Sequence, residues 1–309
     1  MLDSNHETLL RVTWYYYMEN YTQQRISELM GISRAKVIRL LEEGRQRGVI
    51  QFAFRKGDES RMMVERQLID SFGLEDVHVV PSPETEQDIG KVVARAAAVY
   101  VNDRIESNGF INIGYGETIG HLLSNLVNDG RKDVNVVSLT GGVNYYLPRV
   151  QGGIYGLHLN LISAPLMVSR PELRDELINE RSIRSVYQMI DYADMSVVGI
   201  GGMDENATVL SNGILTKDEQ TILAMKGAVG DILNHFYDKD GNPVESSIED
   251  RLISTSLDKL AKLKKVIGVA GGRRKVEAIY AVLRRGYLNV LITDEGTANN
   301  LLARSRQDG

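Results

Sequence analysis

Apolar residues recur at helical spacing across residues 21–50, at Ile26, Leu29, Ile32, Val37, Leu40 and Leu41, with one interruption at Gly31. That rhythm predicts two short helices around a tight turn, with Thr22 and Ser33 placed to cap them. Upstream, residues 7–18 predict a first helix with Leu9, Leu10, Val12, Thr13, Tyr16 and Tyr17 as its buried stripe, and with Trp14 packed against the next helix. Gly48 closes the last of these helices, and residues 49–54 alternate weakly, like a short strand. Residues 57–73 mix Met62, Met63, Leu68, Ile69 and Phe72 with charges and predict a connecting helix ended by Gly73. Its apolar positions suit either the chain's own body or the same helix of a second copy.

From residue 77 the pattern changes. Short β-branched runs at 77–80, 110–114, 134–138, 159–163, 195–200, 266–270 and 289–293 predict strands. Helical stretches at 88–102, 119–128, 171–190 and 276–285 separate several of them. This alternation predicts a mostly parallel, doubly wound α/β sheet covered on both faces. The final residues, 304–309, read as a frayed end. The chain therefore divides into a helix-turn-helix head at 1–56, a linking helix at 57–76 and an α/β body at 77–309, as suits 309 residues.

Composition narrows the class. No apolar run reaches the roughly 18 residues of a spanning helix, and the opening MLDSNHETLL lacks the apolar core of a signal peptide. The absence of cysteine excludes disulfides, thiolate metal sites and cysteine nucleophiles, and suits a cytoplasmic protein. The net charge of −5 argues against coating nucleic acid non-specifically, but the charge is unevenly placed. Of 36 basic and 41 acidic residues, nine and six fall in residues 1–56, so a head of +3 sits on a body of −8. In a helix-turn-helix the second helix meets base edges with its first residues. Here it opens with Ser33, Arg34, Ala35 and Lys36 and continues to Arg39, which places hydroxyl, guanidinium and ammonium groups where phosphates and guanine edges would lie.

In an open α/β sheet, ligands bind beyond the carboxyl ends of the strands. Four such ends are rich in glycine: 114–118 (GYGET), 140–142 (TGG), 199–202 (GIGG) and 271–275 (GGRRK). Glycine allows close backbone approach, and a following helix N-terminus offers free N–H groups to an anion. One anion-lined crevice for a phosphorylated small molecule is the expectation. Lys275, and Lys226 before a second glycine-flanked helix start, are candidate phosphate ligands; Asp238 and Glu117 are candidate acceptors for ligand hydroxyls. Neither G-x-G-x-x-G nor G-x-x-x-x-G-K-[ST] occurs, which disfavours dinucleotides and nucleoside triphosphates. No H-E-x-x-H metal spacing and no G-x-S-x-G elbow is present, so no catalytic residue, metal or cofactor is expected. The alternative is a phosphosugar isomerase or hydrolase with an N-terminal interaction module, using Glu117 as base and Lys275 as phosphate clamp.

The head sequence WYYYMENYTQQRISELMGISRAKVIRLLEEGRQRGVI, together with GYGET, LTGG, VVGIGG, KGAVGDILNHFYDKDG and GVAGG, resembles the SorC family of bacterial transcriptional regulators over nearly the whole chain. Within that family, NLISAPL, KGAVGDIL and GVAGG are most similar to the regulators of autoinducer-2 uptake. The resemblance implies a phosphosugar-isomerase-like effector domain, a phosphorylated sugar or phospho-autoinducer-2 as effector, operator DNA as partner, and a homo-oligomer, usually a tetramer. It places Thr22, Gln23, Gln24, Ser33, Arg34, Lys36 and Arg39 on the DNA-contacting face. It places Gly116, Glu117, Thr118, Gly141, Gly142, Asp238 and Lys275 in the effector pocket. Some relatives carry lysine directly before the glycine pair; this chain has Thr140, so imine capture of an aldehyde is not available there.

Overall fold

The computed structural model describes residues 4–50, 57–129, 133–142, 157–205 and 207–308. The chain separates into two compact units, Met1–Glu59 and Ser60–Gly309.

Three helices build the first unit: α1 (Ser4–Tyr17), α2 (Gln23–Met30) and α3 (Arg34–Gln46). Thr22 caps α2 by accepting from the Arg25 N–H, and Ser33 caps α3 by accepting from the Lys36 N–H. Between them Gly31 takes a left-handed conformation, φ +64°, which a β-carbon would strain. Ser27 Oγ donates to the Ile32 carbonyl at 2.5 Å across the same turn. Leu9, Val12, Ile26, Val37, Leu40 and Leu41 form the buried core. Gly44 lets α3 press on α1, since a β-carbon there would lie 2.8 Å from Thr13 Oγ1. Trp14 departs from expectation: it lies just beside the Thr13 stripe, is 56% exposed, and donates from Nε1 to Glu19. Leu10 and Leu29 are likewise exposed rather than buried. Residues 49 and 50 are bends; the remainder of the expected strand, 51–54, lies outside the described residues.

Helix α4 (Asp58–Phe72) starts in the last two residues of the first unit, continues into the second and ends at Gly73, φ +67°. Val64 and Leu68 are buried against the body, with Ile69 and Phe72 packed beside them, while Met62 and Met63 stay exposed. Next come β1 (Asp76–Val80), α5 (Ile89–Arg104), β2 (Phe110–Ile113), α6 (Glu117–Asp129), β3 (Val134–Ser138) and β4 (Leu157–Asn160). After them run α7 (Pro171–Asn179), α8 (Arg181–Met189), β5 (Met195–Gly199), β6 (Gly201–Gly202), α9 (Thr208–Ser211) and α10 (Lys217–Met225). The chain closes with β7 (Gly230–Ile232), β8 (His235–Tyr237), α11 (Leu257–Leu260), β9 (Val266–Val269), α12 (Val276–Arg285), β10 (Val290–Asp294) and α13 (Glu295–Asp308).

Seven parallel strands form one sheet in the order β1-β10-β9-β5-β2-β3-β4, the doubly wound architecture expected. All seven expected strands are in it, β4 two residues earlier than expected. The winding leaves β2 toward β3 and resumes at β5 on its other side, so β2 and β5 diverge at a topological switch point. Core residues pack on both faces of the sheet.

Three features differ from expectation. The stretch 171–190 is two helices, broken at Glu180, which is extended (φ −60°, ψ 137°). Leu177 and Ile183 both pack inward, yet six residues of unbroken helix would turn them about 120° apart. A second, antiparallel sheet of β6, β7 and β8 was not expected. Its two-residue turn, Leu233–Asn234, has positive φ at both positions, as a tight hairpin requires. Finally, residues 304–308 are helical rather than frayed. Asp308 accepts from Arg304 (2.5 Å), Arg284 (3.3 Å) and the Tyr280 hydroxyl (2.9 Å), and the Arg304 guanidinium lies 4.7 Å over the Tyr280 ring.

Candidate functional site

At the switch point lies a cavity of about 190 Å³. Its walls come from the ends of parallel strands: Tyr115 and Gly116 beyond β2, Gly199 to Gly201 at the end of β5, and Gly271 beyond β9. Two helix N-termini converge on it, α5 through Ile89, Gly90 and Lys91 and α6 through Glu117 and Thr118. They approach closely, because a β-carbon on Gly90 would stand 3.4 Å from Thr118 Oγ1. Gly116 precedes α6 with φ +120°, a conformation that glycine adopts without strain.

The small antiparallel sheet closes one side with Gly201, Asp231 and Leu233. Asp231 is buried, and its Oδ2 accepts from the Asn234 N–H at 3.2 Å. Burial pushes its carboxyl up to about 6, against the opposing pull of that N–H, of Lys275 and of His235. A β-carbon at Gly201 would fall 1.9 Å from Asp231 Oδ1, so the carboxylate occupies the space a side chain would need. Lys275 reaches the cavity from the end of a 3₁₀ turn at Arg273–Lys275. Burial lowers its ammonium below the ordinary lysine value, opposed by Asp231, Asp204 and Glu117. A roof is supplied by Thr208 and Val209 of α9, and Asn212 just beyond donates from Nδ2 to the Tyr115 hydroxyl at 2.5 Å. The cavity thus offers Lys275, Lys91 and two helix N-termini to an anion, and the carboxylates of Asp231 and Glu117 to hydroxyls.

Of the residues expected around an effector, Gly116, Glu117, Thr118 and Lys275 line this cavity together. The others lie elsewhere. Thr140 is fully buried and pairs in a β-bridge with Ser254, and Gly141 is held so close to Pro165 that a β-carbon would meet its carbonyl oxygen at 2.5 Å. Gly142 donates its N–H to the Ala164 carbonyl. The end of β3 is therefore packed on its own connection and is not among the cavity's walls; the expected crevice of four strand ends has three. Lys226 stands at the C-terminus of α10, not at a helix start, and its Nζ donates to the Glu245 carbonyl at 2.8 Å. The stretch after it is strand β7, because Gly230 and Asp231 pair with β6 and β8. Asp238 is spent on its own turn: Oδ1 accepts from the Asp240 and Asn242 N–H groups, each at 2.9 Å. Those bonds hold its carboxyl below the usual range even though burial works against them. Asp231, Lys91, Thr208, Val209 and Leu233 were not singled out from sequence. Asp231 had a usable signal, since an acid inside a short apolar run is unusual.

On the first unit Arg34, Lys36 and Arg39 all stand exposed on α3, with Ser33 and Thr22 exposed at the two caps. Arg34 Nε donates to Gln23 Oε1 at 3.4 Å, which links the start of α3 to the start of α2. Gln24 donates to Glu28. Tyr16, Tyr17, Asn20, Tyr21, Thr22, Gln23, Gln24 and Arg34 border a shallow concavity, with Tyr15 stacked on Tyr21 at 5.7 Å.

Three helices with an exposed cationic face, and a parallel sheet with a small polar cavity at its switch point, define a ligand-sensing regulator of transcription. Residues 59–303 match the family described as "Putative sugar-binding domain". The chain is 37% identical over 304 residues to the transcriptional regulator LsrR of Klebsiella pneumoniae, covering 97% of this chain and 94% of that one. It is 34% identical over 300 residues to LsrR of Escherichia coli K12, covering 96% and 94%. Among solved structures, the full-length sorbitol operon regulator SorC from Klebsiella pneumoniae superimposes with a TM-score of 0.70 at 25% identity, over 97% of this chain and 99% of that one. The chain belongs to the SorC family of transcriptional regulators and is of the LsrR type.

Proposed function

We propose that the chain represses a carbohydrate or autoinducer-2 uptake operon, and that a phosphorylated small carbohydrate, phospho-autoinducer-2 foremost, loosens its grip on the operator. The observation that carries the effector class is the pairing of two helix N-termini with Lys275 around one cavity. Such termini attract anions, and a lysine adds a full charge. Asp231 and Glu117 accept from the hydroxyls of the same ligand. At about 190 Å³ the cavity is below the roughly 300–1,000 Å³ of drug-sized sites, which favours a short sugar phosphate over a nucleotide. Kinship with LsrR regulators favours phospho-autoinducer-2 within that class.

In this reading α2 and α3 act as a helix-turn-helix, with Arg34, Lys36 and Arg39 meeting the major groove and Thr22, Gln23, Gln24 and Ser33 steadying the backbone register. Two heads reach half-sites about one helical turn, or a multiple, apart. A homotetramer with two such pairs is the proposed assembly, which light scattering tests against four times the 34.5 kDa chain mass. Such a protein works beside the chromosome, in the cytoplasm. An effector weakens operator binding only through unequal affinity for two arrangements of the protein, a coupling of about 1–3 kcal/mol.

The test is a thermal-shift screen of sugar phosphates, polyol phosphates and phospho-autoinducer-2, followed by operator binding with each hit. A ligand at about 100 times its Kd stabilises by about 2.7 kcal/mol. If no phosphate ester raises the melting temperature, the proposed effector class is wrong.

A further inference from the structure

The ammonium that faces the cavity is held there by a loop, and the loop by a carboxylate outside the cavity wall. Asp294 ends β10, which lies between β1 and β9 in the sheet. It is 2% exposed, and both of its oxygens are engaged. Oδ1 accepts from Thr297 Oγ1 at 2.5 Å and from the Gly272 N–H at 3.3 Å. Oδ2 accepts from Ser82 Oγ at 2.6 Å and from the Thr297 N–H at 3.3 Å. Ser82 belongs to the loop after β1, and Gly272 to the loop after β9, so one carboxylate ties both neighbouring strand ends to its own. The Gly272 N–H also donates to Thr297 Oγ1 at 2.7 Å.

The fit is tight. A β-carbon on Gly271 would lie 2.5 Å from Asp294 Oδ1 and 2.7 Å from Ile89 Cγ2, and Gly271 and Ile89 both line the cavity. Gly272 follows with φ +103°, and three residues later the chain delivers Lys275. No charged side chain hydrogen-bonds or pairs with this carboxylate among the described residues; its partners are two hydroxyls and two backbone N–H groups. A buried anion satisfied only by dipoles fixes those dipoles firmly, because each unmade bond would leave a charge unpaid in low dielectric.

We propose that Asp294 is a positioning residue of the sensor: it locks the Gly271–Lys275 loop so that the Lys275 ammonium faces the effector cavity. The Lys275 role rests on the function proposed above; the positioning of that lysine does not.

The experiment reads Lys275 directly. Its reductive methylation by formaldehyde with cyanoborohydride as hydride donor, followed by mass spectrometry across pH, gives a titration midpoint in the full-length protein without any effector. In the native chain the midpoint falls below the ordinary lysine value, because burial outweighs the pull of Asp231, Asp204 and Glu117. Asp294→Asn keeps the shape but replaces one acceptor by a donor. It is expected to move the Lys275 midpoint toward the ordinary lysine value and to weaken phospho-autoinducer-2 binding at least fivefold. In a Lys275→Met background it should weaken binding no further. Thr297→Val, which keeps volume and removes the hydroxyl bridge, should shift the midpoint in the same direction by less; it serves if the Asn variant does not fold. A lowered melting temperature with an unmoved Lys275 midpoint, in either variant that folds, overturns the proposal. Should the midpoint move while the native chain binds no sugar phosphate, the positioning role stands and the effector reading falls.

Discussion

The two units of this protein present their chemistry in opposite ways. In the first, the candidate contact charges are outside: Arg34, Lys36 and Arg39 project from one helix, and a core of six side chains holds that helix up. In the second, Asp231 and Lys275 meet in a cavity assembled from chain segments far apart in sequence, with Glu117 exposed at its edge. A surface reader relies on charge that water already solvates and gains specificity from geometry. A buried sensor places charges where water is scarce, so each must be answered by a partner or a ligand.

The largest effect should come from Lys275→Met. A charge-assisted hydrogen bond is worth about 1.5–3 kcal/mol, so effector affinity should fall roughly 10- to 100-fold by calorimetry. Operator affinity without effector should stay within about twofold by fluorescence anisotropy. A parallel loss of operator binding would erase the separation of roles between the units.

Gly201→Ala comes next. Its β-carbon would fall 1.9 Å from Asp231 Oδ1, and overpacking of this kind costs about 1–3 kcal/mol. The thermal transition of the second unit should drop by roughly 2–12 °C. The helical signal of the first unit should be unaffected.

Arg34→Ala probes the other side. If Arg34 makes a bidentate base contact, the cost is about 1–3 kcal/mol and discrimination relaxes at one base pair. Lys36→Ala should weaken all sequences alike and lower the slope of log K against log salt by about one. Equal losses on specific and random duplex for Arg34→Ala would remove it from base reading.

The smallest effect is a pH slope. Burial raises Asp231 to about 6 from an ordinary 3.8, so between those values the folded chain holds a proton that the unfolded chain releases. The contribution of this group is full below about pH 4, about 3 kcal/mol, and is lost as pH rises through 6 at roughly 1 kcal/mol per pH unit. Asp231→Asn should flatten that slope in urea unfolding at pH 4.5 and 7.5. An unchanged slope would mean that the carboxyl is already compensated by Lys275.

The contrast also explains what sequence could reveal. The first unit is local: Thr22, Gly31, Ser33 and the apolar spacing lie within one stretch, so caps, turn and recognition face are readable together. The inner strands β3, β5, β9 and β10 are buried on both faces, and their apolar runs announce them. Glycine-rich strand ends pointed to the cavity, yet glycine alone does not tell a wall from a tight crossing. Gly116 and Gly271 line the site; Gly141 merely passes Pro165. Strands β6, β7 and β8 are two or three residues long, too short for any period to register, so the strand that carries Asp231 was read as a helix start and Lys226 was given the wrong end of its helix.

The final helix carries a practical consequence. Arg304 and Asp308 clamp it around Tyr280, and the chain contains no cysteine. A thiol introduced at exposed Gln307 would therefore be unique, and a dye on it would rotate with the sheet to which it is bolted. Polarisation decay from that single label would time the tumbling of the second unit before and after a sugar phosphate is added.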